Sequence, residues 1–161
     1  ARFAPTAANS QGMYYLVIQD RDLIKKITDC VADWMQEQID NKSPQKRYFI
    51  KVLHVYRERG IDIIGRNARQ LIFVLARRLN VTGPSNSEQS LAYAELYAPT
   101  LGLGTTIMGF IETCLRADYT PLRELLQIPT KQVGVGCLLV GYPRYRYHKL
   151  VDRQHLKVEF R

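Results

Sequence analysis

The chain has 161 residues, an apolar fraction of 46%, ten tyrosines and a formal charge of +8. That length supports one domain with a real core, and the composition excludes a disordered chain. No apolar run approaches the ~18 residues of a membrane span, and no charged-then-apolar leader is seen.

The charge is unevenly placed. Between Ser43 and Asn80, Lys and Arg outnumber Asp and Glu by nine to two, and from Arg144 onward by six to two. Such a balance fits an anionic partner or a solvated basic surface. Three cysteines, Cys30, Cys114 and Cys137, lack the close spacing of a disulfide framework or a metal site. They read as small core residues in a reducing, cytoplasmic compartment, and no metal is expected.

The chain opens at Ala1 without Met, and ARFAPT reads as the last turn of a helix before a Pro-led loop. The sequence is therefore expected to be a piece of something longer. Pro5, Thr6, Ala7, Ala8, Asn9 and Ser10 make a poor helix and a poor core, so a polar loop should lead into a strand at Tyr14–Ile18. Asp20 is a plausible N-cap for a helix over about 21–39, with Leu23, Ile27, Cys30, Val31, Trp34 and Met35 at helical spacing. NKSP punctuates, and a second helix is expected over 48–59, ended by Gly60.

RQLIFVLARR, residues 69–78, reads as a central strand. Ser85 and Glu88 stand at capping-box spacing before a helix over 89–101 that is apolar nearly all round. Such a helix is buried on most sides or lies in a subunit interface. GLGTTIMG follows at 102–109. A short helix is expected over 121–126 and a buried strand over 133–143; the alternation in the final KVEFR suggests an edge strand. Strands and helices intermix, as in an α+β or α/β layered domain.

Familiar catalytic patterns are missing. Gly102 and Gly104 do not make a dinucleotide fingerprint: the third glycine would fall on Ile107, and the motif follows a helix instead of a strand. The stretch reads either as a helix C-cap or as a place where backbone approaches a flat ligand. There is no nucleophile elbow, zinc-binding helix or P-loop, and His54, His148 and His155 lack ligand spacing. YPRYRYHK, residues 142–149, interleaves aromatics with cations, but no second such platform supports nucleic-acid binding.

The order of these pieces is more specific than any one of them. APTAANSQ, a strand, a late helix ending in ELYAPTLGLGTTIMGF, then PLRELLQIP and GVGCLLVGYP with a basic tail resemble the FMN-dependent nitroreductase family. The resemblance spans nearly the whole chain, so residues 1–161 are expected to form one nitroreductase-like domain. An R-S-x-R-like segment of the family, which binds phosphate and flavin pyrimidine ahead of this region, has no counterpart here. Met108 stands where some relatives have Glu, and Val151 and Asp152 replace a proline-rich run.

The resemblance implies an α+β three-layer sandwich, a central mixed sheet flanked by helices, in an intertwined homodimer with FMN at the interface. Pro5, Thr6, Ala7 and Asn9 would wall the cofactor of the neighbouring subunit, and Gln11 would brace that loop or meet the flavin edge. Thr106 and Ile107 would line the reactive side, with the backbone N–H of Met108 or Gly109 pointing at flavin N5. Arg153, and secondarily Lys149, would hold the FMN phosphate.

The implied activity is hydride transfer from NAD(P)H or another reductant, through FMN, to a small electron-poor acceptor such as a nitroaromatic or quinone. No side-chain acid or base is then required. A ferredoxin-like domain or acidic carrier is a further expected partner; nucleic acid and membrane are not. The competing reading is a non-catalytic flavin-fold protein that binds a partner through its basic face.

Overall fold

The computed structural model describes residues 1–145, 148–149 and 151–161. Arg146 and Tyr147, in the middle of the aromatic-basic run 142–149, lie outside the described residues.

After a single turn of 3-10 helix at Ala7–Asn9, the chain enters β1 (Tyr14–Ile18). Helix α1 (Arg21–Asp40) starts where the sequence places it. The Asp20 carboxylate accepts from the N–H groups of Asp22 at 2.8 Å and Leu23 at 3.1 Å, satisfying donors that a helix start leaves free. Ile24, Ile27, Val31, Trp34 and Met35 recur at three- and four-residue steps and form its buried face. Helix α2 (Lys46–Leu53) runs directly into a π-helical turn at His54–Glu58, and Trp34 meets Phe49 edge-to-face with ring centroids 5.6 Å apart.

Strand β2 (Gln70–Arg77) is central, as its apolar run predicts. Helix α3 (Gly83–Tyr97) begins six residues earlier than the sequence suggests. Pro84 sits in its first turn, Thr82 makes no side-chain cap, and Ser85 lies inside the helix, so no capping box forms there; Glu88 pairs with Arg116 at 2.8 Å. A 3-10 turn (Ala98–Leu101) ends at Gly102, whose φ of 71° makes it a left-handed C-cap. Two elements follow that sequence periodicity did not reveal, β3 (Gly104–Ile107) and α4 (Gly109–Arg116). Helix α5 (Thr120–Leu125) and β4 (Gln132–Gly141) complete the fold.

The four strands lie in the order β1-β2-β4-β3. The architecture is α+β, but every pairing among these strands is antiparallel. The expected mixed sheet needs a parallel neighbour, and the described strands provide none. KVEFR likewise forms no strand among the described residues, since alternation alone gives no ladder without a partner.

Helices cover both faces of the sheet. On one face Leu71, Phe73, Leu75 and Cys137 pack with residues of α1, α2, α4 and α5. On the other, Val74, Ala76, Val135 and Leu138 pack under Leu91 of α3. A bulge opposite Val74/Leu75 adds one residue to β4, which turns Val135 to the α3 face. Gly134 and Gly136 let helices come close. A Cβ on Gly134 would lie 2.2 Å from Leu115 Cγ, and one on Gly136 would lie 2.5 Å from Leu91 Cδ1.

Candidate functional site

Strand β3 positions the glycine-bearing stretch. It is an edge strand, with Thr106 opposite Leu139 and Ile107 opposite Leu138. Thr106 is half-buried, and Ile107 is 55% exposed. The Met108 N–H donates to the Cys137 carbonyl at 2.9 Å, and its side chain, 2% exposed, joins the main core. The Met108 amide is thus engaged within the chain, while Met108 also lines the cleft in front of Gly109.

Gly109 differs. It opens α4, its N–H has no backbone acceptor among the described residues, and a Cβ placed there meets nothing within 4 Å. The first amides of a helix lack intrahelical acceptors, so this donor is left unpaired among the described residues, with the favourable end of the dipole behind it. A cleft of about 430 Å³ lies in front, lined by Tyr48 and Phe49 of α2, Ile63 and Arg66 of the following loop, and Ile107, Gly109 and Phe110. The Tyr48 and Phe110 rings are 5.7 Å apart. These residues fit a flat heteroaromatic ring: open backbone on one side, aromatic surface beside it, and one unspent donor.

A second cleft, of about 250 Å³, lies between α3 and α4 and also touches Ile107. Its charges are paired, with Arg116 contacting Glu88 at 2.8 Å and Glu112 at 3.1 Å.

The early polar loop is tied to α3. Buried Asn86 accepts from the Ala7 N–H at 3.0 Å and donates to Ser10 Oγ at 3.2 Å. The Gln11 N–H donates to Thr6 Oγ1 at 3.1 Å, while Pro5, Ala7, Asn9 and Gln11 are exposed. Among the described residues, the three clefts lined by parts of 104–109 include no residue of this loop. Lys149 and Arg153 are exposed on the tail and line none of those clefts either.

Tyr48, Arg66 and Phe110 were not foreseen as site residues. The signal was faint: an Asp three residues before a Gly, in DIIGRN, marks a side-chain-capped turn. No thiol supplies a nucleophile. Burial pushes Cys30 up to about 11, with Asp33 and Glu37 adding to the effect. Burial also raises Cys114 and Cys137.

The chain is an α+β sandwich with helices on both faces and a helix-start amide beside an aromatic cleft. The Nitroreductase family profile matches residues 1–142, and the chain belongs to that family. Among solved structures, it is similar to a nitroreductase with bound FMN from Bacteroides fragilis NCTC 9343, with a TM-score of 0.67 at 16% identity, covering 97% of this chain and 78% of that one. A BluB-like flavoprotein from Clostridium difficile 630 gives 0.68 at 16% identity, covering 95% and 80%. An iodotyrosine deiodinase bound to FMN and 3-iodo-L-tyrosine gives 0.61 at 18%, covering 96% and 82%. At these identities the likeness is one of fold. No curated protein sequence matches the chain.

Proposed function

We propose that this chain is an FMN-dependent oxidoreductase that passes reducing equivalents from NAD(P)H, or another reductant, to an electron-poor acceptor such as a nitroaromatic or quinone. For a nitroaromatic the overall balance is ArNO₂ + NAD(P)H + H⁺ → ArNO + NAD(P)⁺ + H₂O. The observation that carries the reading is Gly109, which lies within the span the family profile matches, has no backbone acceptor for its N–H among the described residues and leaves open space where a Cβ would be.

Bound FMN would supply hydride acceptance and donation; the chain's residues hold and tune it. The Gly109 N–H is the donor we assign to flavin N5, where it favours the electron-rich reduced ring. Thr106 and Ile107 form the adjoining wall. Pro5, Thr6, Ala7, Asn9 and Gln11 are assigned to the cofactor of a neighbouring subunit, and Arg153 and Lys149 to its phosphate. No residue of the cleft needs to act as acid or base.

A homodimer is part of the proposal. Tyr93, Leu96 and Tyr97 on α3 are 44%, 76% and 60% exposed, an apolar surface suited to a second copy. The three free cysteines fit a reducing, cytoplasmic setting. The unpaired cations of the middle segment suit an acidic electron carrier, ferredoxin-like in kind, and salt-sensitive turnover with such a carrier would support that role. Residues 1–161 are taken as one domain.

The test is the visible spectrum of the purified protein before and after NAD(P)H, with FMN supplied. A flavin band that bleaches with NAD(P)H and returns on adding a nitroaromatic supports the reading. Protein that stays colourless and leaves added FMN unchanged overturns it.

A further inference from the structure

The cleft in front of Gly109 has a one-sided charge. Among the described residues, Arg66 is the only charged one lining it, and no carboxylate does. Arg66 makes no ion pair among the described residues, unlike Arg57 with Asp33 or Arg78 with Asp118. Its guanidinium also donates no hydrogen bond to the chain among the described residues.

The backbone beneath it is held firmly in an uncommon shape. Arg66 and Asn67 both have left-handed φ values, 53° and 51°. The Asp62 carboxylate accepts from the Gly65 N–H at 2.7 Å and the Asn67 N–H at 2.8 Å, so one side chain clamps both sides of Arg66. Gly65 lies flat on α1, where a Cβ would be 2.5 Å from Thr28 Oγ1. A turn clamped this way sets where the Arg66 side chain starts. Across the cleft stand Tyr48 and Phe110, which offer ring surface to an aromatic guest.

We propose that this cleft selects aromatic acceptors bearing an anionic substituent, such as a carboxylate, and that Arg66 is the residue that sets this specificity. The proposal takes the acceptor's role from the oxidoreductase reading above and its charge from Arg66. The ring packs against Tyr48 and Phe110, and the guanidinium fork takes two carboxylate oxygens at once. Asp62 is a positioning residue that acts through the turn. Because Arg66 is exposed, the preference is modest and screened by salt.

The experiment is equilibrium dialysis of the full chain, with and without FMN, against 4-nitrobenzoate and nitrobenzene, read as the ratio of their Kd values. At low salt the wild type is expected to favour 4-nitrobenzoate by about fivefold. Arg66→Gln should bring the ratio close to one, and Arg66→Glu should invert it. A wild-type ratio of one, or a ratio unchanged in Arg66→Gln, overturns the proposal. Should Arg66→Gln not fold, the wild-type ratio measured against ionic strength decides: it must shrink with salt, and a salt-independent preference contradicts the assignment. A chain that keeps the ratio but never binds FMN overturns the flavin reading and leaves the charge selection standing. One that binds FMN with no charge preference does the reverse.

Discussion

Two clefts meet at Ile107, and their charges are handled in opposite ways. Between α3 and α4, Arg116 is held by Glu88 and Glu112, so the local field is closed on itself. Burial works against the Arg116 charge, and the two carboxylates outweigh it, raising its pKa. In front of Gly109, among the described residues, the single lining cation makes no ion pair and the leading amide has no backbone acceptor. Paired charges at a surface contribute little and bind nothing new; an unpaired cation beside an unspent donor is available to a ligand. The contrast separates a region that holds α3 to α4 from a region suited to chemistry.

The largest test of this contrast is Gly109→Pro. Proline removes the N–H yet is well suited to the first position of a helix, Met108 (φ −91°, ψ 73°) avoids the helical region that a following proline disfavours, and nothing crowds the added ring at Cβ. Turnover with a nitroaromatic should fall by about a hundredfold while the melting transition holds. Unchanged kcat would remove Gly109 from the proposed chemistry.

Gly136→Ala attacks the other cleft. Its Cβ would press on Leu91 at 2.5 Å and approach Glu112 Oε2 at 3.4 Å. Chemical denaturation should show a loss of about 2 kcal/mol, with the 4-nitrobenzoate preference intact. Asp62→Ala should cost about 1–2 kcal/mol by freeing two amides, and should also weaken that preference. A preference that survives Asp62→Ala at full strength would show that the clamp does not position Arg66.

Acid gives a smaller effect of defined sign. Burial of Asp118 opposes its charge, but hydrogen bonds from Arg78 and Arg123 outweigh it and lower its pKa from the ordinary 3.8. A carboxyl depressed in the folded state contributes stability that is intact above that value and lost as pH falls through the lower folded one. Asp118→Asn should flatten the stability curve on the acid side and leave the proposed flavin site untouched. Arg116→Ala is the smallest, at under about 1 kcal/mol and without effect on acceptor choice.

How much was legible follows the same division. Strands β1 and β2 were readable as short apolar runs of β-formers, and helix α1 because its buried residues recur at three- and four-residue steps after Asp20 marks the start. Strand β3 and helix α4 were not. GLGTTIMGFIETCLR begins with glycines and β-branched residues, and β3 is a strand only because β4 pairs with it. The start of α3 was misplaced because Pro84 sits in its first turn and Ser85 lies inside the helix, while Glu88 pairs with Arg116, twenty-eight residues away in the chain. At the candidate site, Gly109 was pointed to by family likeness. Arg66 was hidden, since its importance depends on a turn clamped by Asp62 and on a cleft lined by no carboxylate among the described residues, both tertiary facts.

The most direct test of the account is an equilibrium titration of FMN, followed by flavin fluorescence, into wild type and Gly109→Pro under identical conditions. The account predicts saturation at one FMN per chain for wild type and clearly weaker binding for the variant. Wild type that never saturates, or a variant that binds as tightly, would contradict it.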